Sequence, residues 1–173
     1  EPVGVLTPAG LREVTVTRRL SPDEVWGTVE MGTPKVSGEP EACNVDHGQL
    51  LVDVGNPHLV VLGPDPAGVD VARLGPLLGE GPAGAANVEF VTLGPGPDEV
   101  TMRVWARGVG ETLACGSGSV AAAVALRHWG RVGRQVTVHQ PGGSLAVGIS
   151  AQGAVSLSGP SRQVCAVEVV ARP

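Results

Sequence analysis

The sequence predicts an α+β fold, a curved and mostly antiparallel sheet wrapped around one central buried helix. Three observations carry that expectation. Short apolar segments, several alternating polar with apolar residues, recur between turns built from the chain's 26 Gly and 15 Pro. One segment, Val120-Ala-Ala-Ala-Val-Ala-Leu126, has apolar side chains on every side of a helix and must be enclosed. Aromatic residues are nearly absent, with one Phe, three Trp and no Tyr. The core must therefore be Val, Leu and Ala, and a sheet curved around a slim helix buries such a set.

A length of 173 residues suits one domain or two closely joined halves. The net charge is −5, and Lys35 is the only lysine. Nucleic acid is excluded as a partner, because phosphate contacts need clustered cations. No apolar run approaches membrane-spanning length and no signal peptide is visible, so no membrane partner and a cytoplasmic location are expected. The three cysteines, Cys43, Cys115 and Cys165, are odd in number and widely spaced. Neither a disulfide framework nor a zinc site is indicated, and a reducing compartment fits. The start at Glu1-Pro2, without Met, suits a piece of a longer protein.

In chain order, Val3–Leu6 reads as a strand ended by the Thr7–Gly10 turn. Leu11–Thr17 alternates in period two and pairs back with Glu24–Met31 across Ser21-Pro22-Asp23. Residues Gly32–Glu41 read as loop, with Cys43 near a strand end beyond it. Gln49–Val54 and Leu59–Leu62 are strands joined by Gly55-Asn-Pro-His58, where Pro57 stiffens the link. Val69–Leu78 has helical spacing with Asp70 at its start. Gly79–Ala86 is a small-residue loop. Asn87–Leu93 is a strand opening on an exposed amide, and Glu99–Trp105 pairs back with it. Arg134–His139 and Ser144–Ile149 form a hairpin about Gln140-Pro-Gly-Gly143. Ala154–Ser158 is a strand broken by Gly159-Pro160, and Val164–Val170 is the last strand.

The chemistry concentrates in Arg107-Gly-Val-Gly-Glu-Thr-Leu-Ala-Cys115-Gly-Ser-Gly-Ser119. This loop delivers a thiol to the mouth of the buried helix. There the first-turn amides of Gly116, Ser117 and Gly118 form a cup of donors suited to a carboxylate or phosphate. A thiol so placed has its pKa lowered. The loop glycines are read as bringing backbone close to a ligand. Asn56, His58, Asn87, Arg107 and Cys115 all lie at strand ends or on loops, which converge in a curved sheet. Together they suit a small zwitterionic or dicarboxylic molecule, with Arg107 pairing a carboxylate. Taken singly, each has a plainer role: Cys115 as a small core residue, Asn56 as a turn former and His58 as a hydrogen-bonded histidine.

Four motifs in register, Gly55-Asn-Pro-His58, Asn87-Val-Glu-Phe90, Arg107-Gly-Val-Gly-Glu-Thr112 and Ala114-Cys-Gly-Ser-Gly118, resemble those of the diaminopimelate epimerase family. The resemblance implies a diaminopimelate-epimerase-like lobe, one of two similar lobes that enclose an amino-acid substrate. It implies cofactor-independent interconversion of LL- and meso-diaminopimelate, on the route to lysine and peptidoglycan. The α-proton passes between two cysteines on opposite faces of the substrate. Cys115 resembles the second catalytic cysteine and His58 the histidine that tunes thiol acidity. Asn56, Asn87, Arg107, Gly116 and Ser117 resemble substrate-binding groups. No cofactor or metal is implied, and a homodimer is compatible.

This chain departs from the family at two places. The Cys-Gly-Asn-Gly motif of the first lobe is absent, so one of the two bases is not here. Ala106 stands where the family has a Glu before the Arg-Gly. The expected division is a strand at 1–9 belonging with the missing first lobe, the second lobe over 10–160, and a terminal strand at 161–173 returning to the first. The competing reading is a non-catalytic binding or assembly module derived from that lobe. Less favoured are a dinucleotide-binding turn at Gly116–Ala121, a thiol hydrolase built on Cys115, His58 and Glu111, and a racemase of the proline racemase type.

Overall fold

The computed structural model describes residues 2–7, 10–37, 47–80 and 85–168. Its strands and helices are β1 (Val3–Thr7), β2 (Gly10–Ser21), β3 (Glu24–Gly32), β4 (Lys35–Ser37), β5 (Gly48–Asp53), β6 (Pro57–Leu62), α1 (Val71–Gly79), β7 (Asn87–Leu93), β8 (Glu99–Ala106), β9 (Gly110–Thr112), α2 (Gly116–His128), β10 (Gln135–Gln140), β11 (Gly143–Ile149) and β12 (Val155–Arg162). All the strands join one sheet in the order β1-β2-β3-β12-β11-β10-β8-β7-β6-β5-β4, with β9 paired to β8. Pairing is antiparallel except at β6/β7 and β8/β10. Those two parallel pairs are the ones bridged by a helix, as parallel neighbours require a crossover.

The two crossover helices take opposite faces of the sheet, and period-two alternation sorts the side chains between them. On one face Val60, Leu62, Val91, Val100, Met102 and Val104 pack with Val120–Ala123, Ala125 and Leu126 of α2. On the other, Val88 and Phe90 pack with Val71, Leu74 and Leu78 of α1. α2 touches β5, β6, β7, β8, β10, β11 and β12, so the sheet surrounds it. Its slim side chains allow that enclosure, and Ala121, Ala122, Ala123 and Ala125 are all fully buried. Arg127 and His128 complement its C-terminal dipole. Gly130, with φ +70°, ends it in the left-handed conformation.

α1 sits on Trp105 through two glycines one turn apart. A Cβ at Gly79 would lie 2.6 Å from Trp105 Cζ3, and one at Gly75 would overlap Trp105 Cγ. Trp105 is the penultimate residue of β8, so this contact fixes where the Ala106-Arg107 segment emerges.

The structure departs from the sequence expectations in several places. β4 forms inside the segment expected to be loop, and β9 inside the loop before Cys115. β12 runs through Gly159-Pro160 instead of breaking there. β11 pairs with it only as far as Ser158, so Pro160 lies where β3 is the sole neighbour and its missing N–H is tolerated. Residues 163–168 form no strand. Cys43, the Pro8-Ala9 part of the first turn, residues 81–84 of the small-residue loop and Val169-Val170 lie outside the described residues.

One end of the sheet is thinly covered. No residue of β1, β2 or β3 is buried, although Met31 of β3 packs against the main core. Val3, Val5, Leu6, Leu11 and Val16 are exposed.

Gly75→Ala tests the seat of α1. Alanine is the better helix former, yet overpacking against Trp105 should lower stability by roughly 1–3 kcal/mol. The expected result is a lower denaturant midpoint at unchanged slope; an equal or higher midpoint would show that the helix shifts freely.

Candidate active site

Cys115 is the N-cap of α2, with extended backbone at φ −144° and ψ 117°. Its Sγ accepts a hydrogen bond from the Gly118 amide at 3.3 Å, and Ser117 Oγ lies 3.5 Å away. A thiol thus replaces the hydroxyl or carboxylate that usually caps a helix. The expected cup of three amides is therefore modified, since Gly118's amide goes to the sulfur.

The residue is held from behind as well. The Cys115 amide donates to Gln140 Oε1 at 2.8 Å, Gln140 Nε2 donates to Ser119 Oγ at 2.9 Å, and Ser119 Oγ donates to the Cys115 carbonyl at 2.8 Å. The sequence reading assigned neither Gln140 nor Ser119 a role.

The loop glycines divide into two kinds. Gly108 and Gly110 have φ of +76° and +101°, and a Cβ on either would meet nothing within 4 Å. They form the tip of the β8–β9 hairpin, where Val109 donates to Ala106. These two are required by the turn, not by a close approach as the sequence suggested. Gly116 and Gly118 are required by close approach, to Leu157 and to Glu89 respectively, each at 2.8 Å from an ideal Cβ.

His58 does not project from its link. It is the second residue of β6 and is fully buried, with Nδ1 hydrogen-bonded to Glu89 Oε1 at 2.6 Å. Alternation on β6 and β7 turns both side chains toward α2. Burial pushes the Glu89 carboxyl above its ordinary range, against the opposing hydrogen bond and charge of His58. His58 Nε2 and Glu89 Oε2 are buried without a partner among the described residues. The ideal Cβ of Gly118 lies 2.8 Å from Glu89 Oε1 and 3.3 Å from Cys115 Cβ. The pair therefore sits beneath the turn that carries the thiol. Glu89 stands in the Asn87–Phe90 motif, but the sequence reading gives it no role of its own, although an acid on the apolar face of a strand already signals a buried partner.

Asn87 is half-buried and engaged, not an exposed amide. Its Nδ2 donates to the Pro57 carbonyl at 3.3 Å and its Oδ1 accepts from the Arg107 amide at 2.9 Å. It ties the Asn56–His58 link to the hairpin that carries Arg107. The Arg107 side chain is exposed and donates to the Ala85 carbonyl at 2.8 Å. Asn56 and Ser117 share a cavity of about 500 Å³ with Val5, Arg12, Val14, Val29 and Met31. The thiol-hydrolase arrangement is not assembled, because Glu111 is bonded to Arg103 at 2.7 Å and His58 to Glu89. Among the described residues no group of three or more His, Cys, Asp or Glu could hold a metal, and no helix is long and apolar enough to cross a membrane.

Comparison with known proteins identifies the family. The family profile described as diaminopimelate epimerase matches residues 50–164. Diaminopimelate epimerases of Desulfitobacterium hafniense, Xylella fastidiosa strain M12 and Synechococcus elongatus are 36%, 46% and 37% identical, over 94%, 79% and 94% of this chain. The chain spans only 63%, 54% and 59% of their lengths. Among solved structures, one described as a predicted epimerase from Pseudomonas aeruginosa aligns with a TM-score of 0.66 at 19% identity, covering 96% of this chain and 67% of that one. A PhzF-family phenazine biosynthesis protein of Bacillus anthracis aligns at 0.60 and 11% identity, covering 93% and 66%. These structures share the fold. The profile match and the related sequences together place this chain in the diaminopimelate epimerase family, an isomerase family.

Proposed function

We propose that this chain is the second lobe of an enzyme that interconverts LL- and meso-diaminopimelate, and that Cys115 is one of its two proton-transferring thiols. The observation that carries the reading is the Cys115 sulfur capping α2 and accepting from Gly118. In one direction the Cys115 thiolate takes the α-proton, and the electron pair left on carbon is delocalised into the α-carboxylate. A thiol of the first lobe then delivers its proton to the opposite face. Cys115 ends as the thiol and its counterpart as the thiolate, and the reverse turnover restores both. The free amides of Gly116 and Ser117 receive the α-carboxylate as its charge grows. Arg107 keeps donors beyond the one given to Ala85 for a second carboxylate. Asn56 addresses the substrate from the cavity wall, and Asn87 holds the Arg107 hairpin in reach. His58 tunes the thiol through Glu89 beneath Gly118. The product feeds lysine and peptidoglycan synthesis.

The first lobe belongs against β1–β3. Those strands carry apolar side chains of which none is buried, and Val5, Val14, Val29 and Met31 line the cavity that also holds Asn56 and Ser117. A covering lobe would close the site against water and bring the second cysteine opposite Cys115. The terminal segment after Arg162 returns to that same lobe.

Two outcomes are expected. The chain alone will not exchange the α-proton of diaminopimelate with deuterated solvent, whereas the two-lobe protein will; exchange by the isolated chain would remove the need for a second cysteine. In the two-lobe protein, Ala106→Glu should raise turnover roughly tenfold or more, the scale of a restored acid–base group. Equal turnover would mean that this position does not limit the reaction.

A further inference from the structure

We propose that Gln140 is a positioning residue for the Cys115 thiol, acting with Ser119 through a closed relay of hydrogen bonds around the Cys115 backbone. The inference rests on Cys115 being the reactive thiol. The direction of every bond in the relay is fixed. The Cys115 N–H can only donate, so Gln140 must present Oε1 to it. That choice turns Nε2 toward Ser119 Oγ, which accepts at 2.9 Å. Ser119, fully buried, then gives its own proton to the Cys115 carbonyl at 2.8 Å. Both sides of one residue are gripped by two side chains that never touch its sulfur.

The turn after Gln140 adds a second grip. The Gly142 amide donates to the Leu113 carbonyl at 2.8 Å. A Cβ at Gly142 would come within 3.0 Å of that oxygen, so the turn lies directly on the segment before Cys115. Gln140 ends β10, whose Val136 and Val138 are in the main core, so the relay is anchored to that core. With its backbone fixed, Cys115 retains only its side-chain torsion, and Gly118 N–H holds that at the sulfur. The thiolate therefore forms with its donor already in place, without reorganisation.

The chemistry of glutamine matters here. An amide supplies one acceptor and one donor without charge. A carboxylate would keep the acceptor, lose the donor to Ser119 and set an anion behind the thiolate. The groups facing the first turn of α2 are few. His58 and Glu89 lie beneath it from β6 and β7, and Arg12 on β2 lines the cavity that reaches Ser117. The inward residues of β5, β8, β11 and β12, among them Leu50, Val52, Val100, Met102, Val147 and Val155, are apolar.

The test follows carbamidomethylation of Cys115 by iodoacetamide in the full chain across pH, read at the Cys115 peptide by mass spectrometry, with exposed Cys165 as internal reference. In the wild type, Cys115 should react faster than Cys165 near neutral pH. If it does not, the reading of Cys115 as an activated thiol fails, whatever Gln140 does. Gln140→Met should slow Cys115 about three- to tenfold at neutral pH and move its midpoint to higher pH, the scale of one weakened hydrogen bond to a charged group. Gln140→Glu should move the midpoint further in the same direction. Ser119→Ala should act like Gln140→Met, and the double variant should shift no further than the larger single one. An unchanged profile or additive shifts would overturn the proposal. Where a variant fails to fold, amide exchange in the wild type decides: the Cys115 N–H should be protected like β10, and exchange at the rate of an exposed loop overturns the relay.

Discussion

The fold depends on a helix that has no face for water. From Val120 to Leu126 α2 has only Val, Ala and Leu, and nearly all of it is buried. A helix so composed is stable only when enclosed, and its narrow girth sets how tightly a sheet must curve to enclose it. The strands from β5 round to β12 supply that enclosure. The N-terminus of α2 is consequently held by the whole core, and the thiol that caps it inherits that rigidity. A catalytic group borne by a buried helix is more exactly placed than one carried by a surface loop.

Two anchoring systems meet at that N-terminus, and they differ in kind. Behind Cys115, Gln140 and Ser119 form neutral hydrogen bonds with every direction determined. Beneath it, His58 and Glu89 form a buried ionisable pair, each with one atom unpartnered among the described residues. The first system fixes geometry. The second brings a titratable carboxyl close to the thiol's own turn, and buried charge acts over longer distances than buried hydrogen bonds do. Gly118 lies between the two, because its missing side chain lets Glu89 approach and its amide reaches the sulfur.

Much of this was legible in the sequence, for reasons that differ by element. α2 and its capping cysteine were readable because both signals are local: an unbroken small apolar run and a polar cap position. α1 was readable from its helical spacing, and the capping contact of Asp70 with the Arg73 amide agrees. The continuation of β12 through Gly159-Pro160 was not readable, since a proline is tolerated there only because β11 has already ended. For the candidate site, motif reading singled out Asn56, Asn87, Arg107 and Cys115. Their couplings were not legible, because His58–Glu89 and Cys115–Gln140 join residues far apart in the chain, through a parallel register that α1 imposes and a hairpin that β10 imposes. The glycines of the β8–β9 tip show the limit of motif reading: the positions stood out, yet their cause was backbone handedness.

The thinly covered end of the sheet has a consequence for handling the chain. β1–β3 are secured to β12 by ladder hydrogen bonds and carry no buried side chain of their own, with Met31 packed against the core. Such a flap opens at a lower free energy than the enclosed strands do. Each opening bares the edge of β12 and an apolar surface together, a template for pairing with another copy. Local opening of this flap therefore favours self-association at temperatures where the core around α2 is still folded.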